Sequence, residues 1–390
     1  KKSKKCKDLG TLTIRKEHLY CVKCFMISVN HKFRACIGKN KILSSNQKVL
    51  VCLTGGQSST VLLDLIYNGL LQDNHKKLRI IPFFLHLTGF GEEETDHKVA
   101  ELVINQCKSY KFNVYIVNIS KFYFQKSNTL PDINSLAETN TEQDLKTNLK
   151  NILKKVTPTS SNDIETKIKH DTFRRVAKEC QCNFIFTAET TTTLAVNLLS
   201  NLAIGRGSQV EYDIGFSDSR DEIKILRPMK DITVEELHHY IQIKNLTHIS
   251  IDKIQDNNLQ SVIKQFVWDL QENFPATVST VCKTADKIGS IDKSDKSPFS
   301  TITFHIRRIW LTAIEATNFS RTVSNFHPGQ YLNEETRPKE LTNEHDGSMF
   351  PFINEYFCYC CSKNYLESGN QNNNLFKDIL FQKIRKRFRA

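Results

Sequence analysis

Apolar and polar segments alternate along the chain in a pattern that predicts strands and helices from about residue 48 onward. Residues 48–53, Lys-Val-Leu-Val-Cys-Leu, contain an apolar run with β-branched side chains, which is typical of a strand buried on both faces. After a short loop, Val61, Leu62, Leu65 and Ile66 recur at helical spacing and form one apolar stripe. The pattern therefore predicts a strand, a loop of small residues and a helix.

The same alternation continues along the chain. Further strands are predicted at 79–87, 114–119 and 183–188. Further helices are predicted at 95–110, 164–179, 190–204 and 234–243, the last with Thr233 as its N-cap. This order predicts an α/β fold with a parallel sheet and helices on both faces. Ligands of such sheets bind beyond the carboxyl ends of the strands, where the loops at 54–59 and 187–193 would both lie.

Three segments are expected in the chain. Residues 1–45 form a cysteine-bearing N-terminal segment, residues 46–245 the α/β domain, and residues 246–390 a helical and C-terminal region. The α/β domain contains a polar stretch at about 121–163, rich in Asn, Thr and Lys, which predicts a surface insertion.

The C-terminal region begins with two amphipathic segments, which predict helices at 259–274 and 277–288. The apolar stripe of the first helix is more typical of a packed core than of a binding surface, and it comprises Val262, Ile263, Phe266, Val267 and Leu270. A basic helix is predicted at the end of the chain, over 376–389.

The net charge favours a polyanionic partner. Lys and Arg number 54 against 42 Asp and Glu, which gives +12 at pH 7. Such a charge suits nucleic acid better than an anionic membrane, although a generally basic, solvated surface explains it equally well. No apolar run reaches the ~20 residues that span a bilayer, and the basic N-terminus is not followed by the apolar segment of a secretory signal. We therefore expect a cytoplasmic protein without a membrane partner.

The loop after the first long strand is a candidate phosphate-binding site. It reads Thr54-Gly55-Gly56-Gln57-Ser58-Ser59. A strand that meets a helix through such a loop directs backbone N–H groups and the positive end of the helix dipole at one point, which suits an anion. The loop matches neither the dinucleotide fingerprint nor the Gly-Lys-Thr ending of a P-loop. A turn capped by Ser58 or Ser59, without a ligand, explains these residues equally well.

The cysteines suggest a metal site. There are twelve, and in a reducing compartment C-x-x-C pairs bind metal more often than they form disulfides. Cys21 and Cys24, with Cys6 upstream, resemble most of a zinc ribbon. Six others are expected to be buried as small apolar side chains, namely Cys36, Cys52, Cys107, Cys180, Cys182 and Cys282.

The sequence leaves two possibilities for the fourth ligand of this site. A partner of Cys6 would sit three residues earlier, where the chain has Ser3. A second pair, Cys358 and Cys361, lies far along the chain. Because structural zinc needs four ligands, either the far pair completes the near site or one of the two sites has decayed.

Several short motifs occur in a fixed order between about residues 21 and 361. They include Cys21-Val-Lys-Cys-Phe, His31-Lys-Phe-Arg, Thr54-Gly-Gly-Gln-Ser-Ser, Leu202-Ala-Ile-Gly-Arg-Gly, Asp213-Ile-Gly-Phe-Ser-Asp, Leu226-Arg-Pro-Met-Lys-Asp and Cys358-Tyr-Cys-Cys. This ordered set resembles the PP-loop superfamily, whose fold is that of the adenine nucleotide alpha hydrolases. Within it, the chain is most similar to the non-catalytic subunits of cytosolic tRNA 2-thiolation complexes.

The resemblance also identifies departures from the catalytic pattern. Catalytic PP-loop enzymes carry Ser-Gly-Gly-x-Asp-Ser, which cradles the ATP pyrophosphate. Here Thr54 replaces the first Ser and Ser58 replaces the Asp, so a carboxylate that serves Mg²⁺ is lost and ATP turnover is not expected. The degenerate phosphate-binding residues are Thr54, Gly55, Gly56, Ser58 and Ser59. Catalytic relatives have a cysteine before Phe-Arg-Arg, whereas Thr172 occupies that position here, and we predict no catalytic residue in this chain.

The resemblance implies a subunit that pairs with a catalytic thiouridylase and binds tRNA. It implies a requirement for 2-thiolation of the wobble uridine in Lys, Glu and Gln tRNAs, with sulfur from a thiocarboxylated ubiquitin-related modifier. The residues expected to contact tRNA phosphates combine glycine or proline with basic side chains, and they are Gly205, Arg206, Gly207, Arg227 and Lys230. The residues expected to hold structural zinc are Cys6, Cys21, Cys24, Cys358 and Cys361.

Two other functions remain open from the sequence. The first is an ATP-dependent tRNA sulfurtransferase that is active in its own right. The second is a scaffold that keeps the fold but does not touch RNA.

Overall fold

The computed structural model describes residues 3, 6–14, 18–73, 77–91, 93–119, 153, 156–204, 210–249 and 258–288. Several predicted features lie outside these residues. They are the Gly205-Arg206-Gly207 segment, the Cys358 and Cys361 pair, most of the polar insertion and the basic C-terminal helix.

The chain begins with a short hairpin that the sequence pattern did not predict. Strands β1 (Leu12–Ile14) and β2 (His18–Tyr20) pair in antiparallel fashion, and helix α1 (Val22–Asn40) follows. The α/β unit comes next. Its first half contains β3 (Gln47–Leu53), α2 (Gln57–Leu70), β4 (Ile80–Thr88), α3 (Glu93–Ser109) and β5 (Val114–Asn118).

The second half of the unit begins with a long helix. It contains α4 (Pro158–Glu179), β6 (Phe184–Phe186), α5 (Thr191–Ala203), α6 (Val210–Ile214), β7 (Ser217–Asp218), β8 (Lys224–Leu226) and α7 (Val234–Lys244). Two further helices, α8 (Leu259–Asn273) and α9 (Pro275–Ile288), complete the described part. Within that part, every helix is too short or too polar to traverse a lipid bilayer.

The central sheet confirms the predicted fold class. Its six strands lie in the order β5-β4-β3-β6-β8-β7. Neighbouring strands are parallel, except that β7 pairs with β8 in antiparallel fashion at the edge. The chain passes outward from β3 first through β4 and β5 and then, on the other side, through β6 and β8. The sheet therefore reverses its direction of growth between β3 and β6.

Both faces of the sheet are covered, as the apolar run of β3 predicted. Val49, Val51 and Leu53 face a core that includes residues of α1, α2, α3 and α7. The alternate residues Leu50 and Cys52 face a second core that is closed by α4. Because successive strand residues point to opposite faces, one apolar run supplies both cores.

Helix α4 begins six residues before the predicted start at 164. Thr157 is its N-cap and accepts a hydrogen bond from the Ser160 N–H, while Pro158 occupies the first helical position. Both residues favour a helix start, because proline fits the first turn and threonine satisfies a free N–H. The last part of the predicted insertion therefore belongs to this helix. The predicted N-cap Thr233 of α7 is confirmed, and with Glu236 it forms a capping box.

Helices α8 and α9 pack with α5 and α6 around a third, smaller core. The predicted apolar stripe of α8 is only partly right. Ile263, Val267 and Leu270 face this core, whereas Val262 and Phe266 are 66% and 53% exposed. Residues 263, 267 and 270 follow the spacing of one helix face, and 262 and 266 lie beside that face rather than on it.

Candidate functional site

Two loops meet at the carboxyl edge of the sheet, as the sequence predicted. Val51 pairs with Phe186, so the loop after β3 and the loop after β6 leave neighbouring parallel strands. This is also the place where the order of strands reverses. In open α/β sheets such a reversal leaves a crevice that binds ligands.

The loop after β3 ends in an open helix N-terminus. Gly56, which has no side chain, is the N-cap of α2 and has extended backbone angles. The alternative in which Ser58 or Ser59 caps the helix is therefore wrong. The Ser59 hydroxyl instead donates to the Gly56 carbonyl at 3.0 Å and accepts from the Thr54 hydroxyl at 3.2 Å. The N–H groups of the first turn and the helix dipole both point at the sheet edge, which is the arrangement that binds anions.

Close packing fixes the shape of this loop. Gly55 has a φ of +74°, a backbone conformation that favours glycine. A Cβ atom at this position would lie 2.7 Å from Cγ1 of Val99 on α3. On the other side, the Ile249 N–H donates to the Gly55 carbonyl at 3.0 Å. The loop is held between α3 and the segment that follows α7.

That segment, residues 247–249, was not identified from the sequence as part of the site. His248 Nε2 lies 3.2 Å from Nε2 of Gln57, the first residue of α2. The Gln106 side-chain amide donates to the Thr247 carbonyl and to the Thr60 hydroxyl. The segment therefore braces the start of α2 against α3. No local sequence pattern predicts the contacts of this segment with α2 and α3, because they join residues that lie far apart in the chain.

Glu189 organises the loop after β6. Its carboxylate accepts hydrogen bonds from Thr187 at 3.0 Å, from Asn197 at 3.1 Å and from Arg227 Nε at 2.6 Å. Sequence reasoning placed this loop at the site but did not single out Glu189. A lone acidic residue within a run of threonines, opposite an arginine after the next strand, was the available signal.

Arg227 is buried, with 1% of its side chain exposed. Besides the Glu189 carboxylate, its guanidinium donates to the carbonyls of Tyr212 at 3.0 Å and Gly215 at 2.9 Å. These contacts join β8 to the turn before β7. A contact between Arg227 and RNA stays a prediction, and it would require this side chain to leave its three partners.

The other predicted RNA contact within the described residues is Lys230. It is half-buried, and its carbonyl accepts a 2.7 Å hydrogen bond from the Thr191 hydroxyl at the start of α5. Lys230 therefore lies beside the loop after β6. The described residues do not bring the five predicted contacts onto one surface, because three of the five lie outside them.

A second ion-pair cluster lies around the Phe173-Arg174-Arg175 segment. Arg174 pairs with Asp218 at 3.1 Å and with Asp221 at 2.9 Å, and Arg220 pairs with Asp213 and Asp218. Burial by itself would raise the pKa of Asp218, but hydrogen bonding to Arg220 and the charges of both arginines hold that pKa well below its usual range. The cluster ties α4 to the β7 edge of the sheet.

Thr172 stands at the position where catalytic relatives carry a cysteine, and it offers no thiol. Thr172 is fully buried, and its hydroxyl donates to the Ile168 carbonyl at 2.8 Å. Nearby, burial together with the charges of Arg174 and Arg227 lowers the pKa of His170 to about 3, so this imidazole is neutral at physiological pH.

The N-terminal thiols form a compact group. Cys21 is the N-cap of α1 and accepts a hydrogen bond from the Cys24 N–H. Cys6 Sγ lies 3.4 Å from Cys21 Sγ, and all three sulfur atoms lie within 4.8 Å of one another. The hydrogen bond from the Cys24 N–H lowers the pKa of Cys21, whereas side-chain hydrogen bonding with Cys6 raises the pKa of Cys24 to about 11.

This group could hold one metal ion. Within the described residues, this is the one place in the fold where potential metal ligands are gathered in this way. Thiolates that share one tetrahedral ion lie about 3.8 Å apart, as follows from Zn–S bonds of about 2.3 Å. An iron–sulfur cube places a separate iron behind each thiolate and needs wider spacing. The six cysteines predicted as apolar are all buried, which confirms that prediction.

Comparisons with known proteins identify the family of this chain. The sequence profile described as cytoplasmic tRNA 2-thiolation protein 2 matches residues 258–363. A protein of that name from Anopheles gambiae is 31% identical over 298 residues, which cover 73% of this chain and 70% of the mosquito protein. The chain belongs to the cytoplasmic tRNA 2-thiolation protein 2 family.

Two further members of the cytoplasmic tRNA 2-thiolation protein 2 family differ in how much of their length is matched. The Aedes aegypti protein is 33% identical over 74% of this chain, and the match spans 65% of its length. The Drosophila grimshawi protein is 28% identical over 90% of this chain, and the match spans 86% of its length.

A solved structure confirms the fold of this family member. The U34-tRNA thiolase NcsA from Methanococcus maripaludis, solved with its [4Fe-4S] cluster, superposes with a TM-score of 0.56. The match covers 77% of this chain and 93% of NcsA at 17% sequence identity. The shared feature is the parallel sheet with its flanking helices.

Proposed function

We propose that this chain is the non-catalytic subunit of a cytoplasmic tRNA 2-thiolation complex. The observation that carries the proposal is the loop after β3. It keeps the open N-terminus of α2 and the left-handed Gly55, yet it has Ser58 where catalytic members carry a carboxylate. Family membership supplies the reaction to which such a loop belongs.

The residues of the chain fit a supporting role rather than the reaction itself. Backbone N–H groups at the start of α2 can bind a phosphate, but a serine hydroxyl replaces a carboxylate poorly as an Mg²⁺ ligand. Thr172 offers no thiol for sulfur transfer, and its hydroxyl is already bonded inside α4. In this proposal a catalytic homologue adenylates the uridine. The loop of this chain that corresponds to the ATP site keeps a structural role only.

We propose that tRNA binds on the basic surface of the assembled pair. The net charge of +12 supports an electrostatic contribution to binding. Arg206, Lys230 and the basic residues at 383–389 are the proposed phosphate contacts. Arg227 fits better as a residue that positions the neighbouring loops, since its guanidinium already donates to one carboxylate and two carbonyls.

The finer details of the reaction follow from the family resemblance. The proposed substrate is the wobble uridine of Lys, Glu and Gln tRNAs, and the proposed sulfur source is a thiocarboxylated ubiquitin-related modifier that reaches the uridine through the complex. The Cys6, Cys21 and Cys24 group is proposed to hold structural zinc.

Removal of the chain from cells tests the proposal. Cells without it should lose 2-thiouridine from these tRNAs, and the wild-type chain should restore it. Ser58→Ala should restore it equally well, because the proposal gives Ser58 no chemical role. Unchanged 2-thiouridine in cells without the chain would overturn the proposal. Failure of Ser58→Ala alone, with a stable and partner-bound protein, would instead favour an enzyme that is active in its own right.

A further inference from the structure

The N-terminal metal group has three thiols, whereas structural zinc sites have four ligands. The position expected to supply the fourth thiol holds Ser3, which is 7% exposed. Its hydroxyl accepts a 3.2 Å hydrogen bond from the Cys21 N–H, and its own N–H donates to the Asp8 carbonyl at 2.9 Å. Ser3 therefore links Asp8 to the start of α1.

The side chain of Asp8 lies close to the thiols of Cys6 and Cys21. Asp8 Oδ2 lies 3.5 Å from Cys6 Sγ and 4.0 Å from Cys21 Sγ. In a tetrahedral zinc site with Zn–S bonds of about 2.3 Å and a Zn–O bond of about 2.1 Å, sulfur and oxygen ligands lie about 3.6 Å apart. Two thiols and one carboxylate oxygen thus already have the mutual distances of ligands around one ion.

We propose that Asp8 is the fourth ligand of a zinc site formed by Cys6, Cys21 and Cys24. The site is then complete within residues 6–24, and it does not need Cys358 or Cys361. A carboxylate is an ordinary zinc ligand, and three thiolates with one carboxylate carry the same charge as four thiolates. The five lysines among the first seven residues offset the resulting excess negative charge.

The position of the site indicates a structural role for the ion. Cys6 and Asp8 precede the β1–β2 hairpin, whereas Cys21 and Cys24 form the first turn of α1. One ion would therefore close the hairpin and fasten it to a helix that buries Phe25, Val29 and Phe33 in the main core. The Asp8 ligand rests on the zinc proposed above for Cys6, Cys21 and Cys24, but not on the proposed role in tRNA thiolation.

Metal analysis of the purified full chain tests the proposal. The wild-type chain should bind one zinc per molecule, and Asp8→Ala should weaken zinc affinity by about 100-fold or more, since even the loss of an outer-shell partner costs 10–100-fold. Asp73→Ala, which removes an exposed carboxylate elsewhere, is the matched control and should bind zinc as the wild type does. The double variant Cys358→Ser with Cys361→Ser should also bind as the wild type does.

Cobalt substitution identifies the ligands directly. The wild-type spectrum should be that of a site with three thiolates and one oxygen ligand. Asp8→Cys should convert it to a four-thiolate spectrum with stronger thiolate-to-cobalt absorption, and this variant keeps the test decisive if Asp8→Ala fails to fold. Three results would overturn the proposal: no zinc in the wild type, a four-thiolate wild-type spectrum, or loss of zinc in the Cys358 and Cys361 double variant with retention in Asp8→Ala.

Discussion

The Arg227 guanidinium donates a 2.6 Å hydrogen bond to the Glu189 carboxylate and so joins the end of β8 to the loop after β6. Because Arg227 is almost wholly buried, its removal would take the positively charged partner from Glu189 and the donor from the carbonyls of Tyr212 and Gly215. Loss of one partner of a buried ion pair is strongly destabilising. This arginine therefore belongs to the framework of the site.

Arg227→Ala should lower the free energy of unfolding by about 3 kcal/mol. Urea denaturation followed by circular dichroism measures the change. Arg206→Ala is the contrasting variant: it should weaken tRNA binding by the complex and reduce the salt slope of binding by about 1. A stable Arg227→Ala protein with weakened tRNA binding would assign Arg227 to the RNA surface instead.

Gly55→Ala should destabilise the protein by about 2–4 kcal/mol. The left-handed backbone at this position disfavours a side chain, and the new methyl group would meet Val99 at 2.7 Å. Gly56→Ala is the matched control, since its Cβ would lie 3.6 Å from the Thr54 hydroxyl and its φ is −81°. It should cost no more than about 1 kcal/mol, the usual penalty for alanine at an N-cap. Equal unfolding midpoints for the two variants would contradict the described loop geometry.

Tyr240→Phe should destabilise the protein at neutral pH by about 2 kcal/mol, because the Tyr240 hydroxyl donates a 2.6 Å hydrogen bond to the buried Asp64 carboxylate. Burial raises the pKa of Tyr240 in the folded state, and the charge of Asp64 raises it further. The stability from this raised pKa is fully present below the unfolded pKa of about 10 and is lost as the pH rises above it.

The difference in stability between wild type and Tyr240→Phe should therefore shrink above pH 10, by up to about 1.4 kcal/mol per pH unit. Urea denaturation at pH 8 and pH 11 provides the comparison. Tyr110→Phe should have a smaller effect at both pH values, since Tyr110 is only half-buried and lies 3.0 Å from Asp64. A difference that stays constant from pH 8 to pH 11 would exclude this linkage.

The sequence was most informative where structure is set locally. Strand β3 and helix α2 can be predicted from the periodicity of their apolar residues alone. Thr233 can be predicted as the N-cap of α7 from its residue type and position. Helix α4 starts earlier than its apolar pattern predicts, because Thr157 and Pro158 form the start signal ahead of the first periodic apolar residue.

The partners of charged side chains could not be predicted in the same way. Arg227 follows a strand and precedes a proline, which suggested an exposed turn, but its partners Glu189, Tyr212 and Gly215 come from other elements. The proximity of Asp8 to the thiols has no signal in the local sequence for a similar reason. Its carboxylate reaches Cys21 only because the hairpin brings the two ends of the segment together.

Reconstitution with purified components tests the central claim most directly. The measurement is the amount of 2-thiouridine formed in tRNA, by mass spectrometry of nucleosides, in the presence of ATP and a sulfur donor. The chain alone should form none, the catalytic homologue alone little, and the two together much more. Formation of 2-thiouridine by the chain alone, free of its homologue, would contradict the account.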